Sequence, residues 1–276
     1  MIHINGRCGK YPAISITGKS CQLNCLHCKA SLLKNMIACN RPEELEGIIK
    51  GLEKRNMIGV LLSGGCDAQG RLPWDKYLPV IKNLDTSLFI SAHAGMNVDI
   101  ETAKAIKSAG IKQALIDVVV DTETIRDVYN IDNPNIVHKT IDNLFTYGPR
   151  IVPHLIVGIG KGKIKGEYEA IDFLTAYKVP LLVLVVLMPI NKTLTPPPID
   201  EVLDVFRYAR RKFPKIALGC AKPRGSYRYE LEKRLIAENL IDNLAVWSDA
   251  AIAEAKQKGK KINYHYTCCS VPPDEV

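Results

Sequence analysis

Length, composition and charge exclude several classes of protein. The chain has 276 residues with 47% hydrophobic side chains, which is enough for one large domain with a sizeable core. Its longest apolar run, residues 181–188, is far shorter than the roughly 20 residues of a membrane span. Its beginning lacks the basic and apolar segments of a signal peptide. We therefore expect a cytoplasmic protein that does not enter a membrane.

The positive charge is unevenly distributed. The net charge is +8, and the excess is concentrated between residues 207 and 228. This stretch is either a solvated helix face or a docking surface for an acidic partner. Few aromatic residues are interleaved with its bases, so we expect no nucleic acid partner.

Short apolar strands alternate with amphipathic helices along the chain, which predicts βα units around a parallel sheet. The predicted strands are residues 13–17, 60–63, 88–91, 115–120, 151–157, 181–187, 216–218 and 244–246. The predicted helices begin with one opened by Pro42 and two acids, and continue at 99–108, 200–212, 226–238 and 250–258. Eight such units predict an α/β fold, a complete or nearly complete (β/α)8 TIM-type barrel, for which about 250 residues suffice. We expect one domain over residues 1–276, with a short N-terminal extension (1–12) and a cysteine-containing C-terminal tail (259–276).

Three of the nine cysteines follow the first predicted strand. Cys21, Cys25 and Cys28 have the spacing C-x3-C-x2-C, which lets one loop wrap three thiolates around a soft metal centre. Iron–sulfur clusters and zinc both prefer such ligands. A structural zinc ion needs a fourth ligand, for which His27 or Cys39 is available. A cubane cluster on three cysteines instead keeps one iron free for another molecule.

Other chemically distinctive residues also stand where predicted strands end. In a β/α barrel these ends form the catalytic face. The residues concerned are Ser63, Gly64, Gly65, Cys66, His93, Gly158, Gly160, Met188, Cys220 and Arg224.

The cysteine motif after a first strand resembles that of the radical S-adenosylmethionine (SAM) enzymes. The resemblance implies a [4Fe-4S] cluster on Cys21, Cys25 and Cys28, whose open iron binds SAM and whose electron cleaves it to a 5'-deoxyadenosyl radical. It also implies several cofactor-binding residues: Ser63, Gly64 and Gly65 for the methionyl amino group, Gly158, Gly160 and the backbone of His27 for adenine, and Met188 in the sixth-strand turn. Cys66 departs from the family, in which an acid often follows the glycines. Asp117 and Asp121 are candidates for the ribose hydroxyls.

The remaining cysteines are too numerous to be idle. One or two of them are expected to be small buried hydrophobes. However, Cys268 and Cys269 lie in a polar segment where no core is expected, and Cys220 follows a strand. Cys8 would lie near the tail in a closed barrel. We therefore predict a second, auxiliary [4Fe-4S] cluster built from such residues: Cys8, Cys220, Cys268 and Cys269.

Over its full length the chain resembles the biotin-synthase-like branch, and is most similar to the archaeal two-component lipoyl synthase proteins. The residues that carry this likeness are 219–228 and the terminal cysteine pair. It implies that the auxiliary cluster donates sulfur to an octanoyl chain on an acidic lipoyl carrier protein or peptide. A second radical SAM protein and an electron donor such as ferredoxin are the other implied partners. Arg224 and Arg228, four residues apart where a helix is predicted to begin, are catalytic candidates that would grip a carboxylate or carbonyl of the substrate; a solvated pair is the alternative.

Three alternatives stay open from the sequence. The closely spaced N-terminal cysteine trio of the bacterial lipoyl synthases is absent, since Cys8 stands alone. Biotin synthase is the nearest alternative, followed by a radical SAM enzyme that inserts no sulfur. A zinc- or cluster-binding interaction protein is the alternative without catalysis.

Overall fold

The computed structural model describes residues 1–5, 9–190 and 194–272. Its strands are β1 (Ile2–Asn5), β2 (Ala13–Ser15), β3 (Ile37–Ala38), β4 (Gly59–Ser63), β5 (Phe89–His93), β6 (Gln113–Asp117), β7 (Arg150–Val157), β8 (Leu182–Val186), β9 (Ile216–Leu218), β10 (Asn243–Ala245) and β11 (Ile262–His265). Its helices are α1 (Pro42–Lys54), α2 (Trp74–Lys82), α3 (Ile100–Ser108), α4 (Thr122–Tyr129), α5 (Ile136–Tyr147), α6 (Glu167–Leu174), α7 (Ile199–Arg210), α8 (Ser226–Ala237) and α9 (Asp249–Gln257), with a short 3-10 helix at Ser31–Asn35.

The described residues form two compact units. Unit 1 contains residues 1–5, 118–124, 153–190 and 194–272, and unit 2 contains residues 9–117 and 125–152. The chain therefore passes between the units more than once, and each unit gathers strands from distant parts of the sequence.

The strands of unit 2 lie in the order β6-β5-β4-β2-β3 and pair in parallel. Its helices bury the apolar stripes that the sequence predicts. In α1, Leu45, Ile49 and Leu52 are buried, while Pro42 and two acids begin the helix, as the fixed φ of proline and the positive end of the helix dipole favour.

The strands of unit 1 lie in the order β11-β1-β10-β9-β8-β7, and their pairings are also parallel. Every residue of β8 is buried, as expected of a parallel strand covered on both faces. The helix α7 packs Leu203 and Phe206 into the core, where neither side chain is exposed.

The α/β class and the parallel pairing agree with the sequence prediction, but a complete eight-stranded barrel is not confirmed. Within the described residues there are eleven strands, and β3 and β11 each pair with a single neighbour. The additional strands β1, β3 and β11 have two to four residues, too few to show an alternating pattern. β1 lies in the predicted N-terminal extension and β11 in the predicted tail. The single-domain organisation stays a prediction. No helix in the described ranges is both long and apolar enough to cross a bilayer.

Candidate functional site

Residues 21–28 of unit 2, the cysteine loop, follow β2 and are fixed by backbone hydrogen bonds. The Leu26 N–H donates to the Val128 carbonyl (2.8 Å), and the Lys29 N–H donates to the Cys25 carbonyl (2.9 Å). The Asn130 side chain donates to the Leu23 carbonyl (2.8 Å). The loop is therefore held in shape by its own turns and by the segment after α4.

Two thiols of the cysteine loop share a hydrogen bond. The bond donated by Cys25 lowers the pKa of Cys28, and the same bond, together with burial, raises the pKa of Cys25. A thiolate at Cys21 raises the pKa of Cys25 further. The three side chains therefore lie close enough to influence one another, and the lowered pKa of Cys28 favours its thiolate, the form that binds metals.

The glycine turn after β4 packs directly against the cysteine loop. The Gly65 N–H donates to Thr17 Oγ1 (2.7 Å). A Cβ at Gly65 would fall 2.0 Å from the Ser20 carbonyl oxygen and 2.4 Å from the Cys21 Cβ. Only glycine fits such a close approach of two backbones. The sequence predicted a close approach to a ligand at Gly64 and Gly65; the structure shows that Gly65 also approaches the loop itself. Ser63, at the end of β4, is buried.

His27 and His93 lie near the same strand ends of unit 2. The His27 ring lies 5.1 Å from the Tyr129 ring, and its buried Nδ1 has no hydrogen-bond partner among the described residues. His93 Nε2 lies 3.4 Å from Asp117 Oδ1. Although burial alone would lower the pKa of His93, the charge and hydrogen bond of Asp117 raise it. The carboxylate of Asp117 therefore favours the protonated form of His93.

The donor set of the cysteine loop consists of three thiols, a type of ligand that both iron–sulfur clusters and zinc ions bind. Across residues 1–5, 9–190 and 194–272, no three or more His, Cys, Asp or Glu side chains form a group that could hold a metal ion. A structural zinc site requires four ligands at about 2.0–2.3 Å from one point. A cluster of several irons is larger and separates its thiolates, which suits three thiols spread along one loop.

The glycine turn after β7 in unit 1 is held by one buried carboxylate. Glu167 accepts hydrogen bonds from the N–H groups of Gly158 (2.7 Å), Lys165 (2.7 Å) and Gly166 (3.0 Å), and its exposure is 1%. Gly158 has a φ of +82°, which glycine adopts without strain. Sequence reasoning identified Gly158 and Gly160 but missed Glu167. An acid at the first turn of a helix after a glycine-rich turn was the available signal.

Two other predicted residues of unit 1 have less distinctive surroundings. Met188 is half-buried just beyond β8, and its carbonyl accepts from the Ile190 N–H (2.8 Å). Asp121 accepts from the Thr124 N–H (2.8 Å) at the start of α4, so it acts as a helix cap. A role of Asp121 at ribose stays a prediction.

Cys220, Cys268 and Cys269 come together in unit 1, and we call them the thiol trio. Cys269 shares hydrogen bonds with both other thiols; these bonds lower the pKa of Cys220, and that of Cys268 to about 6, and raise that of Cys269. Contrary to the expectation that no core requires them, Cys269 is buried with an exposure of 3%. Cys8 lies outside the described residues, so its predicted place in this group is untested.

A buried ion pair that the sequence did not reveal lies behind the thiol trio. Lys222 and Glu232 are 2% and 0% exposed, with 3.4 Å between Nζ and Oε1. The Lys222 ammonium also donates to the carbonyls of Gly219 (3.1 Å) and Ala245. Glu232 accepts from the N–H and hydroxyl of Ser248. Hydrogen bonds therefore reach the Lys222 ammonium and Glu232 Oε2, whereas Glu232 Oε1 has no hydrogen-bond partner among the described residues and is compensated by the charge of Lys222.

Arg224 and Arg228 lie on either side of the predicted beginning of a helix, which the structure places at Ser226. The helix α8 begins at Ser226, so Arg224 lies before it and is exposed. Arg228 Nε lies 4.0 Å from Glu232 Oε1, and its guanidinium lies over the Tyr229 ring. The turn at Gly225, with a φ of +69°, separates the two arginines. Their role at a substrate stays a prediction.

The basic stretch at residues 207–228 is largely neutralised within the chain. Ion pairs join Arg207 to Asp204 and Glu238, Arg210 to Asp242, Lys212 to Asp172 and Lys222 to Glu232. It therefore presents fewer free cations than the sequence suggests.

Comparisons with known proteins support the fold. No family model matches the chain, and no curated protein matches it. Methylornithine synthase (PylB) has a similar structure, with a TM-score of 0.58 and 13% identity over 95% of this chain and 83% of that chain. SuiB of Streptococcus suis, solved bound to S-adenosylmethionine, gives a TM-score of 0.57 and 12% identity over 79% of this chain and 51% of SuiB.

At such identities the likeness is one of fold. The match covers about half the length of SuiB, as it also does in a second SuiB structure, with 52% of that chain and a TM-score of 0.55. The chain therefore has the α/β fold of a synthase and of a SAM-binding protein. This agrees with the fold expected from the radical SAM resemblance.

Proposed function

We propose that the chain is a radical SAM enzyme whose catalytic [4Fe-4S] cluster is held by Cys21, Cys25 and Cys28. The observation that carries the proposal is the convergence of these thiols on one loop, braced by the Gly64–Gly65 turn. The similarity of the fold to PylB and to SAM-bound SuiB supports it.

The cluster and SAM, when bound, supply a 5'-deoxyadenosyl radical that can abstract hydrogen from an unactivated carbon. The protein itself would bind and orient the cluster, SAM and the substrate, and would exclude water from them. The backbone of residues 63–65 would bind the methionyl amino group, and the turn at Gly158 and Gly160 would bind adenine. Glu167 holds that second turn by accepting its N–H groups. His93 Nε2 faces Asp117 Oδ1, and this carboxylate favours a proton on the His93 ring.

The test is anaerobic reconstitution with iron and sulfide, followed by reduction in the presence of SAM. We expect a brown protein that forms 5'-deoxyadenosine, measured by chromatography. Cys25→Ala should reduce its formation to the background level. Cys39→Ala is the matched control, because Cys39 is a buried cysteine of the same unit outside the loop. A colourless protein with tightly held zinc and no SAM cleavage would instead support a non-enzymatic interaction protein.

A more specific candidate function is sulfur insertion of the lipoyl synthase type. The observation that favours it is the thiol trio, three thiols of unit 1 beside the buried cation Lys222. They would hold an auxiliary [4Fe-4S] cluster as the sulfur source, and the ammonium would offset part of its negative charge. The substrate would be an octanoyl chain on an acidic lipoyl carrier. A second radical SAM protein and a ferredoxin-like donor would complete the system.

The carrier would have to use the cations that the chain leaves free. Within the described part of residues 207–228, Arg211, Lys215 and Arg224 form no ion pair with a carboxylate. Arg224 is exposed and lies four residues after Cys220 of the thiol trio. It is therefore the first candidate for a contact with the carrier or its acyl amide.

Mass spectrometry of an octanoylated carrier peptide after turnover tests this specific function. Sulfur insertion predicts two clusters per chain and a peptide that gains sulfur. Cys269→Ala should still cleave SAM but leave the peptide without sulfur. Biotin synthase activity predicts sulfur gain on dethiobiotin instead. One cluster with an unchanged peptide beside active SAM cleavage would indicate a radical SAM enzyme that inserts no sulfur.

A further inference from the structure

Cys66 is a fourth cysteine held against the cysteine loop. Its carbonyl accepts hydrogen bonds from the N–H groups of Gln22 (2.8 Å) and Leu23 (3.3 Å), the two residues after Cys21. The preceding residue, Gly65, lies so close to the loop that an added Cβ would fall 2.4 Å from the Cys21 Cβ. The backbone of Cys66 is therefore fixed to the segment that carries Cys21.

The Cys66 side chain also lies within electrostatic reach of the loop thiols. Burial raises the pKa of Cys66 to about 12. The proximity of Cys21 adds to the rise, and a hydrogen bond from the Met96 N–H to the Cys66 sulfur opposes it. In turn, an ionised Cys66 contributes to the raised pKa of Cys25. The other charges near Cys66 are Asp67 and Asp117. Four thiols, rather than three, thus belong to one neighbourhood of unit 2.

Resting on the proposed function, we propose that Cys66 is a fourth, exchangeable ligand of the catalytic cluster. It binds the iron that the three loop cysteines leave open, until SAM takes its place. A thiolate is a preferred ligand of iron in such clusters. In the enzymes that the chain resembles, an acid often follows the glycines. This chain therefore replaces a hard oxygen donor with a soft sulfur donor directly beside the cluster loop.

The exchange is redox-neutral and balanced in protons. The bond between iron and the Cys66 sulfur breaks, and the same iron forms bonds to the amino nitrogen and a carboxylate oxygen of SAM. The SAM ammonium loses one proton when its nitrogen becomes a ligand, and the released Cys66 thiolate takes up one proton. No oxidant or reductant is consumed. The consequence is a cluster that is fully coordinated, and protected from small molecules, while SAM is absent.

Cyanide, a small external ligand, distinguishes an open iron from one that Cys66 occupies. The full-length protein is reconstituted, reduced without SAM, and titrated with cyanide while the electron paramagnetic resonance (EPR) spectrum of the cluster is recorded. We expect an unchanged spectrum for the natural chain and a cyanide-dependent shift for Cys66→Ala. Cys66→Ser, which keeps the side-chain volume, is the second variant, and Cys39→Ala is the control that should behave as the natural chain.

SAM affinity gives an independent measure, by equilibrium titration of the unreduced protein. If Cys66 occupies the iron nine-tenths of the time, its removal should tighten SAM binding about tenfold. A cyanide shift in the natural chain equal to that of Cys66→Ala would overturn the inference, as would weaker SAM binding by both variants. If either of these results is obtained with a protein that still binds the cluster and SAM, only the inference about Cys66 is overturned and the proposed function stands. Absence of any cluster on the loop removes both.

Discussion

The two groups of thiols in this protein are built in different ways. The cysteine loop of unit 2 takes its thiols from eight consecutive residues and is shaped by local turns. The thiol trio of unit 1 joins residues about fifty positions apart, because the segments that follow β9 and β11 bring their thiols together. Their surroundings also differ in charge: Asp67 and Asp117 lie near the first group, and Lys222 lies near the second.

This difference suggests a division of labour. A loop with rigid backbone and close glycine packing suits a permanent cluster whose position relative to SAM must not vary. A group assembled from two strand ends, with a fixed cation behind it, suits a cluster of higher negative charge or one that is consumed, since the cation stabilises thiolates. Substitutions in the cysteine loop and in the thiol trio should therefore have different consequences.

The largest expected effect separates the two groups by substitution. Cys25→Ala should abolish 5'-deoxyadenosine formation, because the proposed catalytic cluster would lose a ligand. Cys269→Ala should retain it and lose only the second cluster. Chromatography and iron analysis on the same samples provide the measurement. If Cys269→Ala abolished SAM cleavage in a protein whose unfolding midpoint was unchanged, the division of labour would be wrong.

The next effect concerns how the two glycine turns are held. The turn at Gly65 is held by packing on the cysteine loop, whereas the turn at Gly158 depends on Glu167. Glu167→Ala leaves three N–H groups without their acceptor, and we expect a loss of about 3 kcal/mol in unfolding free energy, at about 1–3 kcal/mol per buried unsatisfied group with partial rescue by water. Urea denaturation measures it. Glu169→Ala, an exposed acid on the same helix, should change stability by less than about 0.5 kcal/mol; equal effects would contradict the role of Glu167.

Contiguous residues and clear periodicity made some parts of the fold predictable from the sequence. The cysteine loop could be identified in the sequence because its three thiols lie within eight consecutive residues; their role as cluster ligands stays a prediction. The helix α1 and the buried strand β8 were predictable because periodicity and capping residues agree. The extra strands β1, β3 and β11 were not, because two to four residues carry no pattern and their pairing is decided by the rest of the unit.

Buried charges were the main limit on predicting the site. Glu167, Lys222 and Glu232 look like surface residues in the sequence, since nothing local distinguishes a buried ion pair from a solvated one. The basic stretch was expected to be either a solvated helix face or a docking surface. The sequence did not reveal that Arg207 and Arg210 have carboxylate partners in other segments, Glu238 and Asp242. Only the fold brings such charges together.

A smaller effect compares helix caps in the two units. Ser248 caps α9 in unit 1 by accepting from the Ala251 N–H, and it also donates to the buried Glu232 (2.6 Å). Asp99 caps α3 in unit 2 at an exposed site by accepting from the Thr102 N–H (2.8 Å). We expect Asp99→Ala to cost about 1 kcal/mol. Ser248→Ala should cost about 2–3 kcal/mol, because it also leaves a buried carboxylate with fewer donors. Urea denaturation of both variants measures the difference; a costlier Asp99→Ala would refute the link to Glu232.

The smallest effect concerns the pKa values of histidines, which should be shifted in opposite directions in the two units. In unit 2, Asp117 raises the pKa of His93 although burial opposes it. In unit 1, His3 Nδ1 and His265 Nε2 lie 2.8 Å apart; burial lowers the pKa of both, and for His3 the charge of His265 and of Lys215 adds to this, while Asp242 opposes it. The protonated His93 should therefore stabilise the fold fully below pH 6.5, the ordinary value, and lose this contribution as pH rises through its raised pKa. The neutral pair should contribute above pH 6.5 and lose its contribution as pH falls through the lowered pKa values.

Nuclear magnetic resonance of the histidine ring carbons, recorded against pH, measures both groups in one sample. We expect His93 to have the highest midpoint of these three histidines and His3 to have a low one. Asp117→Asn should bring the His93 midpoint below 6.5, because burial is then unopposed. His265→Gln should raise the His3 midpoint, because it removes the charge of a neighbouring ring. A His93 midpoint below that of His3 in the natural chain would show that Asp117 does not act on His93 as the 3.4 Å contact indicates, and the proposed cation at the end of β5 would have to be abandoned.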